Sequence, residues 1–100
     1  MRAPQTSAFR WDTGADVLQH ELLAERAAAL GRGELRVKAA LKDLHAHDGD
    51  PELREALLRE AADAVWCFFI QREICGLRDQ SAVIAEHAIP REVLSRLGAR

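Results

Sequence analysis

Apolar residues recur at helical spacing through the first half of the chain. Seven positions spaced alternately by four and three residues run from Leu23 to Leu44, and six of them are apolar. Such a seam is typical of a helix that packs along another helix. Gly31 and Gly33 fall inside it, but the seam keeps its phase across both. The pattern therefore predicts one helix over residues 15–47, and it leaves open a bend at the glycines. The seam consists of Leu23, Ala27, Leu30, Glu34, Val37, Leu41 and Leu44.

A turn is predicted around Gly49, between this helix and the next. Glycine suits the left-handed conformation that closes a helix. Asp50 is a good N-cap and Pro51 a good first helical residue. A connection this short between two long helices indicates an antiparallel hairpin. We expect the second helix over residues 51–75, ending before Gly76.

The second helix becomes apolar on every side over residues 65–70, which read Val-Trp-Cys-Phe-Phe-Ile. A helix of this kind must be covered on every side, and one neighbouring helix cannot do that. We therefore expect two hairpins to pair as a homodimeric four-helix bundle. Residues 1–14 read as an arm that carries Phe9 and Trp11, and these rings are expected to dock on a groove of the same subunit or a partner. The expected interface consists of Phe9, Trp11, Leu23, Leu30, Val37, Trp66, Phe68, Phe69, Ile70 and Arg72.

A charged triplet, Gln71-Arg72-Glu73, follows the apolar run and has two interpretations. The first is a polar network that fixes the register of the helices, in which Arg72 pairs with a carboxylate. The second is a ligand pocket lined by Trp66, Phe69 and Arg72, as in an enzyme or a ligand sensor. The first interpretation is favoured.

The C-terminal tail predicts two short helices, over residues 79–88 and 90–97. Their arrangement resembles a helix-turn-helix, which would place the second helix in the major groove of DNA. Between Arg78 and Arg100, however, four arginines are offset by three acidic residues, a surplus of one positive charge. That surplus supplies little affinity for phosphates, which disfavours nucleic acid as a partner. A nucleic-acid-binding regulator that uses residues 79–97 is thus the alternative function.

No group of residues predicts a catalytic, metal or cofactor site. His45, His47, Asp48 and Asp50 lie close in sequence, but histidines two positions apart do not share a helix face. No second cluster supplies further ligands, because His20 and His87 are isolated in the sequence. We therefore expect a non-enzymatic protein without a cofactor, whose first candidate partner is a second copy of itself and whose second candidate partner is another protein.

Composition supports a single helical domain over residues 15–100. The chain has 100 residues, of which 48% are apolar and 30% charged, and its formal net charge is −2. The longest apolar run is far shorter than the roughly 18–20 residues of a membrane span. The first residues lack the apolar stretch of a signal peptide. We expect a cytoplasmic all-α protein, with a long antiparallel hairpin and a short C-terminal helical pair.

Two stretches of the chain carry a resemblance to a known family. They are residues 66–78, which read Trp-Cys-Phe-Phe-Ile-Gln-Arg-Glu-Ile-Cys-Gly-Leu-Arg, and residues 89–98, which read Ile-Pro-Arg-Glu-Val-Leu-Ser-Arg-Leu-Gly. With them, residues 15–98 resemble a small bacterial family of uncharacterised proteins of about this length. The resemblance implies a helical fold and no particular activity.

Overall fold

The computed structural model describes residues 14–99, and these form helices and turns without a strand. The predicted all-α class, with two long helices followed by short ones, is confirmed. Phe9 and Trp11 lie outside the described residues, so their docking stays a prediction. The helices are α1 (Ala15–Ala46), α2 (Pro51–Ile74), α3 (Ser81–Glu86) and α4 (Arg91–Leu94).

Helix α1 continues without interruption through both of its glycines. A methyl group at Gly31 would meet nothing within 4 Å, whereas one at Gly33 would lie 3.2 Å from Cδ1 of Phe68 on α2. The absence of a side chain at Gly33 therefore lets the two long helices approach closely at this level.

The turn between α1 and α2 forms as the local sequence predicts. The N–H of His47 donates to the carbonyl oxygens of Asp43 and Leu44, which closes α1. Gly49 has a φ of 102°, a value that L side chains rarely adopt. The Asp50 carboxylate then accepts a hydrogen bond of 3.1 Å from the N–H of Glu52 and caps α2.

The hydrophobic core lies between α1 and α2 and is closed by the C-terminal tail. Ion pairs hold the two long helices in antiparallel register, because Arg36 on α1 contacts Glu60 at 2.9 Å and Asp63 at 2.8 Å on α2. The buried residues are Val37, Ala40, Leu41, Leu44, Leu58, Ala61, Ala62, Ala64, Val65, Phe68, Phe69, Val83, Ile89 and Val93.

The tail helices are shorter than the sequence pattern predicts. Helix α3 ends at Glu86, and the chain reverses through Ala88, whose φ is 50°. Pro90 lacks an N–H and therefore starts a new helix instead of extending the old one. Residues 95–98 continue α4 only as turns. The tail is fastened to α2 by two ion pairs, Arg54 with Glu92 and Arg96 with Glu55.

Candidate interaction surface

Three residues of the expected interface are buried inside the single chain. Val37, Phe68 and Phe69 are all core residues, so they offer no surface to a partner and this part of the interface prediction is wrong. The physical reason is that the apolar run on α2 is covered from two directions, by α1 and by the C-terminal tail. Leu30 is partly buried against the same core.

One flank of α2 nevertheless stays uncovered toward its C-terminal end. Trp66, Ile70 and Ile74 follow one another at intervals of four residues and lie on one side of the helix. Trp66 is 38% exposed, Ile70 40% and Ile74 58%. Gly98 of the tail packs against the edge of the Trp66 ring and covers only part of it. Leu77, just beyond α2, is also exposed.

A longer uncovered surface lies at the N-terminal end of α1. All residues from Gly14 to Ala28 are exposed, and we call residues 15–28 the overhang. Four large apolar side chains of the overhang are each at least half exposed: Val17, Leu18, Leu22 and Leu23. Leu23 belongs to the seam that packs on α2 further along, so the apolar face of α1 continues beyond its partner helix.

The overhang exists because the two helices differ in length. Helix α1 has 32 residues and α2 has 24. At 1.5 Å per residue these are about 48 Å and about 36 Å long. Gly33 lies opposite Phe68, so the last residue of α2 lies near the level of residue 27 on α1. Residues further towards the N-terminus have no helix of this hairpin beside them.

Arg72 fastens the loop that follows α2. Its Nε donates to Oε1 of Gln80 at 2.7 Å, its Nη2 donates to the carbonyl oxygen of Asp79 at 3.0 Å, and its guanidinium lies 5.9 Å from the ring centre of Phe68. Gln80 in turn donates to the carbonyl oxygen of Leu77. Arg72 therefore takes part in a polar network, but it donates to a side-chain amide oxygen and a backbone carbonyl oxygen instead of a carboxylate.

The predicted pocket of Trp66, Phe69 and Arg72 does not form, because Phe69 is buried and Arg72 is engaged with the loop. Trp66 instead borders an open groove of about 690 Å³ between α2 and the tail. The groove carries charges of both signs, and two of its charged groups, Glu55 and Arg96, bind each other. Its other lining residues are Ala56, Arg59, Glu60, Ala62, Asp63, Gly98 and Ala99.

Several charged groups of the structure serve the fold. The hydrogen bond from Arg36 to Asp63 raises the pKa of the guanidinium, with Glu60 adding to the effect, so Arg36 stays charged. Hydrogen bonds from the hydroxyl and the N–H of Ser81 lower the pKa of Asp79. In the tail, Arg96 is bound to Glu55, which reduces the positive charge available to a phosphate.

The four histidines fall into different environments. His20 and His45 are exposed, and Nε2 of His47 lies 2.8 Å from the carbonyl oxygen of Asp50. His87 lies 2.9 Å from Glu34 on α1, and Glu86 is close to both. His87 looks isolated in the sequence because its partner Glu34 is 53 positions away.

Comparison with known proteins identifies the family. A model described as a family of unknown function, DUF6665, matches residues 5–100. The chain belongs to this family. The resemblance to a family of uncharacterised proteins is thereby confirmed for this DUF6665 protein. No curated protein and no solved structure matches the chain. Within residues 14–99, no helix combines the length and apolar character needed to cross a membrane.

Proposed function

We propose that this DUF6665 protein is a non-enzymatic helical interaction module that pairs with a second copy of itself through the overhang. The observation that carries the proposal is the run of exposed residues 15–28 with its four large apolar side chains. Single exposed leucines are ordinary, whereas apolar residues clustered on an unpartnered helix mark an interaction site.

The overhang also lacks packing that would stabilise it as a helix. Most of its 14 residues lie beyond the end of α2, and most helical stability in proteins comes from the packing of an apolar face. A partner helix laid along it would supply the packing that α2 supplies to the rest of α1. A second copy offers such a helix, since its own overhang has the same apolar residues. An antiparallel pair of overhangs has the two-fold symmetry most common among oligomers.

The size of the apolar surface sets the extent of the proposed interface. Burying a half-exposed Leu or Val contributes about 1 kcal/mol, roughly half the value for full burial. Four such side chains per copy give about 8 kcal/mol for the pair, within the range of about 4–15 kcal/mol that association costs. The overhangs alone are therefore marginal. We include the end of α2 in the interface, where Ile70, Ile74 and Leu77 are exposed.

Light scattering coupled to size exclusion tests the pairing. At tens of micromolar the wild-type chain is expected at twice its 11.1 kDa mass. The double variant Leu22→Glu/Leu23→Glu is expected to be monomeric and still helical, because both side chains are exposed in the single chain and glutamate is a good helix former. Leu35→Glu is the matched control. Leu35 is 65% exposed but lies beside α2, outside the overhang, so this variant is expected to remain dimeric.

Two results would contradict the proposal. A monomeric wild type would assign the overhang to a different occupant, such as residues 1–13 or another protein. A Leu22→Glu/Leu23→Glu variant that remains dimeric would place the contact elsewhere. Binding to nucleic acid is disfavoured as the alternative function, because Arg96 of the tail pairs with Glu55 and Arg54 pairs with Glu92, which leaves less positive charge for phosphates.

A further inference from the structure

Three side chains of metal-binding type converge where the tail crosses α1. Glu34 lies on α1, Glu86 is the last residue of α3, and His87 follows it directly. One ligand atom from each lies within 4.8 Å of the other two. The His87 imidazole is almost enclosed, with 6% of its side chain exposed, and its Nε2 lies 2.9 Å from Oε2 of Glu34. The ring is therefore held in a fixed orientation.

The two carboxylates of this cluster have no Lys or Arg partner among the described residues. Within residues 14–99, no Lys or Arg forms an ion pair with Glu34 or Glu86. The Glu86 carboxylate also makes no hydrogen bond to another described residue. Two carboxylates at this separation repel each other, and a cation between them removes the repulsion. The arrangement favours a bound cation more strongly than a simple His–Glu contact does.

We propose that Glu34, Glu86 and His87 bind a divalent transition-metal cation, with Zn²⁺ as the best fit. Imidazole and carboxylate ligands suit Zn²⁺, whereas Ca²⁺ takes six or more oxygen ligands and Mg²⁺ prefers oxygen. Bond lengths of about 2.0–2.2 Å place neighbouring ligand atoms of a tetrahedral site about 3.4 Å apart. Glu34 and His87 are already near this separation. The exposed Glu86 side chain reaches it by a small change of rotamer.

The consequence is a clamp between distant parts of the chain. The ion would tie His87 to Glu34, which is 53 positions earlier, and would hold the C-terminal tail on α1. Three protein ligands leave a fourth position for water. The site lies within one chain, at a distance along α1 from the overhang, so it does not depend on the proposed self-association.

Calorimetric titration with ZnCl₂ tests the site. The titrated protein is the full chain with Cys67→Ser and Cys75→Ser, since these free thiols would bind Zn²⁺ themselves. We expect one Zn²⁺ per chain, and no saturable binding of Mg²⁺. Glu86→Gln is expected to weaken Zn²⁺ binding at least about tenfold, because even the loss of an outer-shell partner costs about this much. Zn²⁺ at 100 times its Kd is expected to raise the unfolding midpoint of the parent by about 10–20 °C.

The choice of Glu86 separates a metal ligand from a structural residue. Because the Glu86 carboxylate makes no hydrogen bond or ion pair among residues 14–99, and because its neutralisation removes the repulsion from Glu34, Glu86→Gln is expected to unfold without Zn²⁺ at the same temperature as the parent or slightly above it. Glu73→Gln, an exposed carboxylate away from the cluster, and His45→Gln/His47→Gln, at the helical turn, are the controls and should leave the Kd unchanged. Equal Zn²⁺ affinity of Glu86→Gln and the parent, absence of saturable binding, or loss of binding in the His45/His47 variant overturns the proposal.

Discussion

The two glycines of α1 provide a matched pair of substitutions that tests how closely the long helices approach. Both lie inside the same helix, so replacing either with alanine removes the same conformational cost, about 0.8–1.0 kcal/mol. At Gly31 nothing lies within 4 Å of the added methyl group. Gly31→Ala is therefore expected to stabilise the protein by about 1 kcal/mol, which raises the unfolding midpoint by about 4–8 °C in a domain of this size.

Gly33→Ala gains the same stability from helix propensity, but unfavourable packing offsets this gain. Its methyl group would lie 3.2 Å from Cδ1 of Phe68, whose ring is buried and has little room to move. Overpacking of this kind costs about 1–3 kcal/mol. The net change is expected to range from zero to a loss of about 2 kcal/mol. The difference between the two variants, about 1–3 kcal/mol, reports the close contact itself.

Urea unfolding followed by circular dichroism measures both changes, at one protein concentration because self-association shifts apparent stability. A double-mutant cycle with Phe68→Leu isolates the contact. Because leucine is smaller than phenylalanine, Gly33→Ala should increase the free energy of unfolding when it is made in the Phe68→Leu background. If Gly33→Ala stabilises as much as Gly31→Ala, the helices are not in close contact at this level. If Gly31→Ala gives no gain, α1 is not a continuous helix at that position.

Two further predictions concern the tail. Ala88→Gly is expected to stabilise the protein by about 1 kcal/mol, because Ala88 is exposed and has a φ of 50°, where a residue with a Cβ is strained. Urea unfolding measures the change, and a loss of stability would mean that the Ala88 methyl group makes stabilising contacts with its neighbours. An NMR pH titration should find the pKa of Asp79 below its ordinary value and raised again by Ser81→Ala, which removes the hydroxyl donor. Since the folded state lowers this pKa, the contribution of Asp79 to stability is present above the unfolded pKa of about 3.9 and is lost as the pH falls through the folded value. An unchanged pKa in Ser81→Ala would contradict that cause.

The helices and the turn between them could be predicted from local signals. The seam from Leu23 to Leu44, the N-cap at Asp50 and the glycine at position 49 each act within a few residues, and the structure has the expected elements there. Even the overhang was implied by the sequence, since predicted helices of unequal length cannot cover each other fully. The apolar run over residues 65–70 was the stronger signal, but the chain itself buries Phe68 and Phe69 and leaves Trp66 and Ile70 exposed.

The arrangement of the tail could not be predicted in the same way. Phe68 and Phe69 belong to one core cluster with Val83, Ile89 and Val93, which return to α2 after a reversal of the chain. Likewise, the cluster of Glu34 with His87 depends on how α3 lies across α1, and nothing near either residue indicates the other. Local patterns specify elements, whereas these contacts depend on where the elements dock.

The direction of that reversal determines which surface of the chain stays open. At the end of α2 the chain turns through Gly76, whose φ is 86°, and Arg72 holds the following loop by Gln80 and the carbonyl of Asp79. The tail therefore runs back along α2 towards the hairpin turn, where Arg96 meets Glu55, and away from the overhang. A tail that continued past Ile74 would have covered the leucines of α1. Because the described tail packs toward the opposite end of α2, it leaves residues 15–28 uncovered, and this is why we propose a second overhang, which has the same apolar residues and length, as their cover.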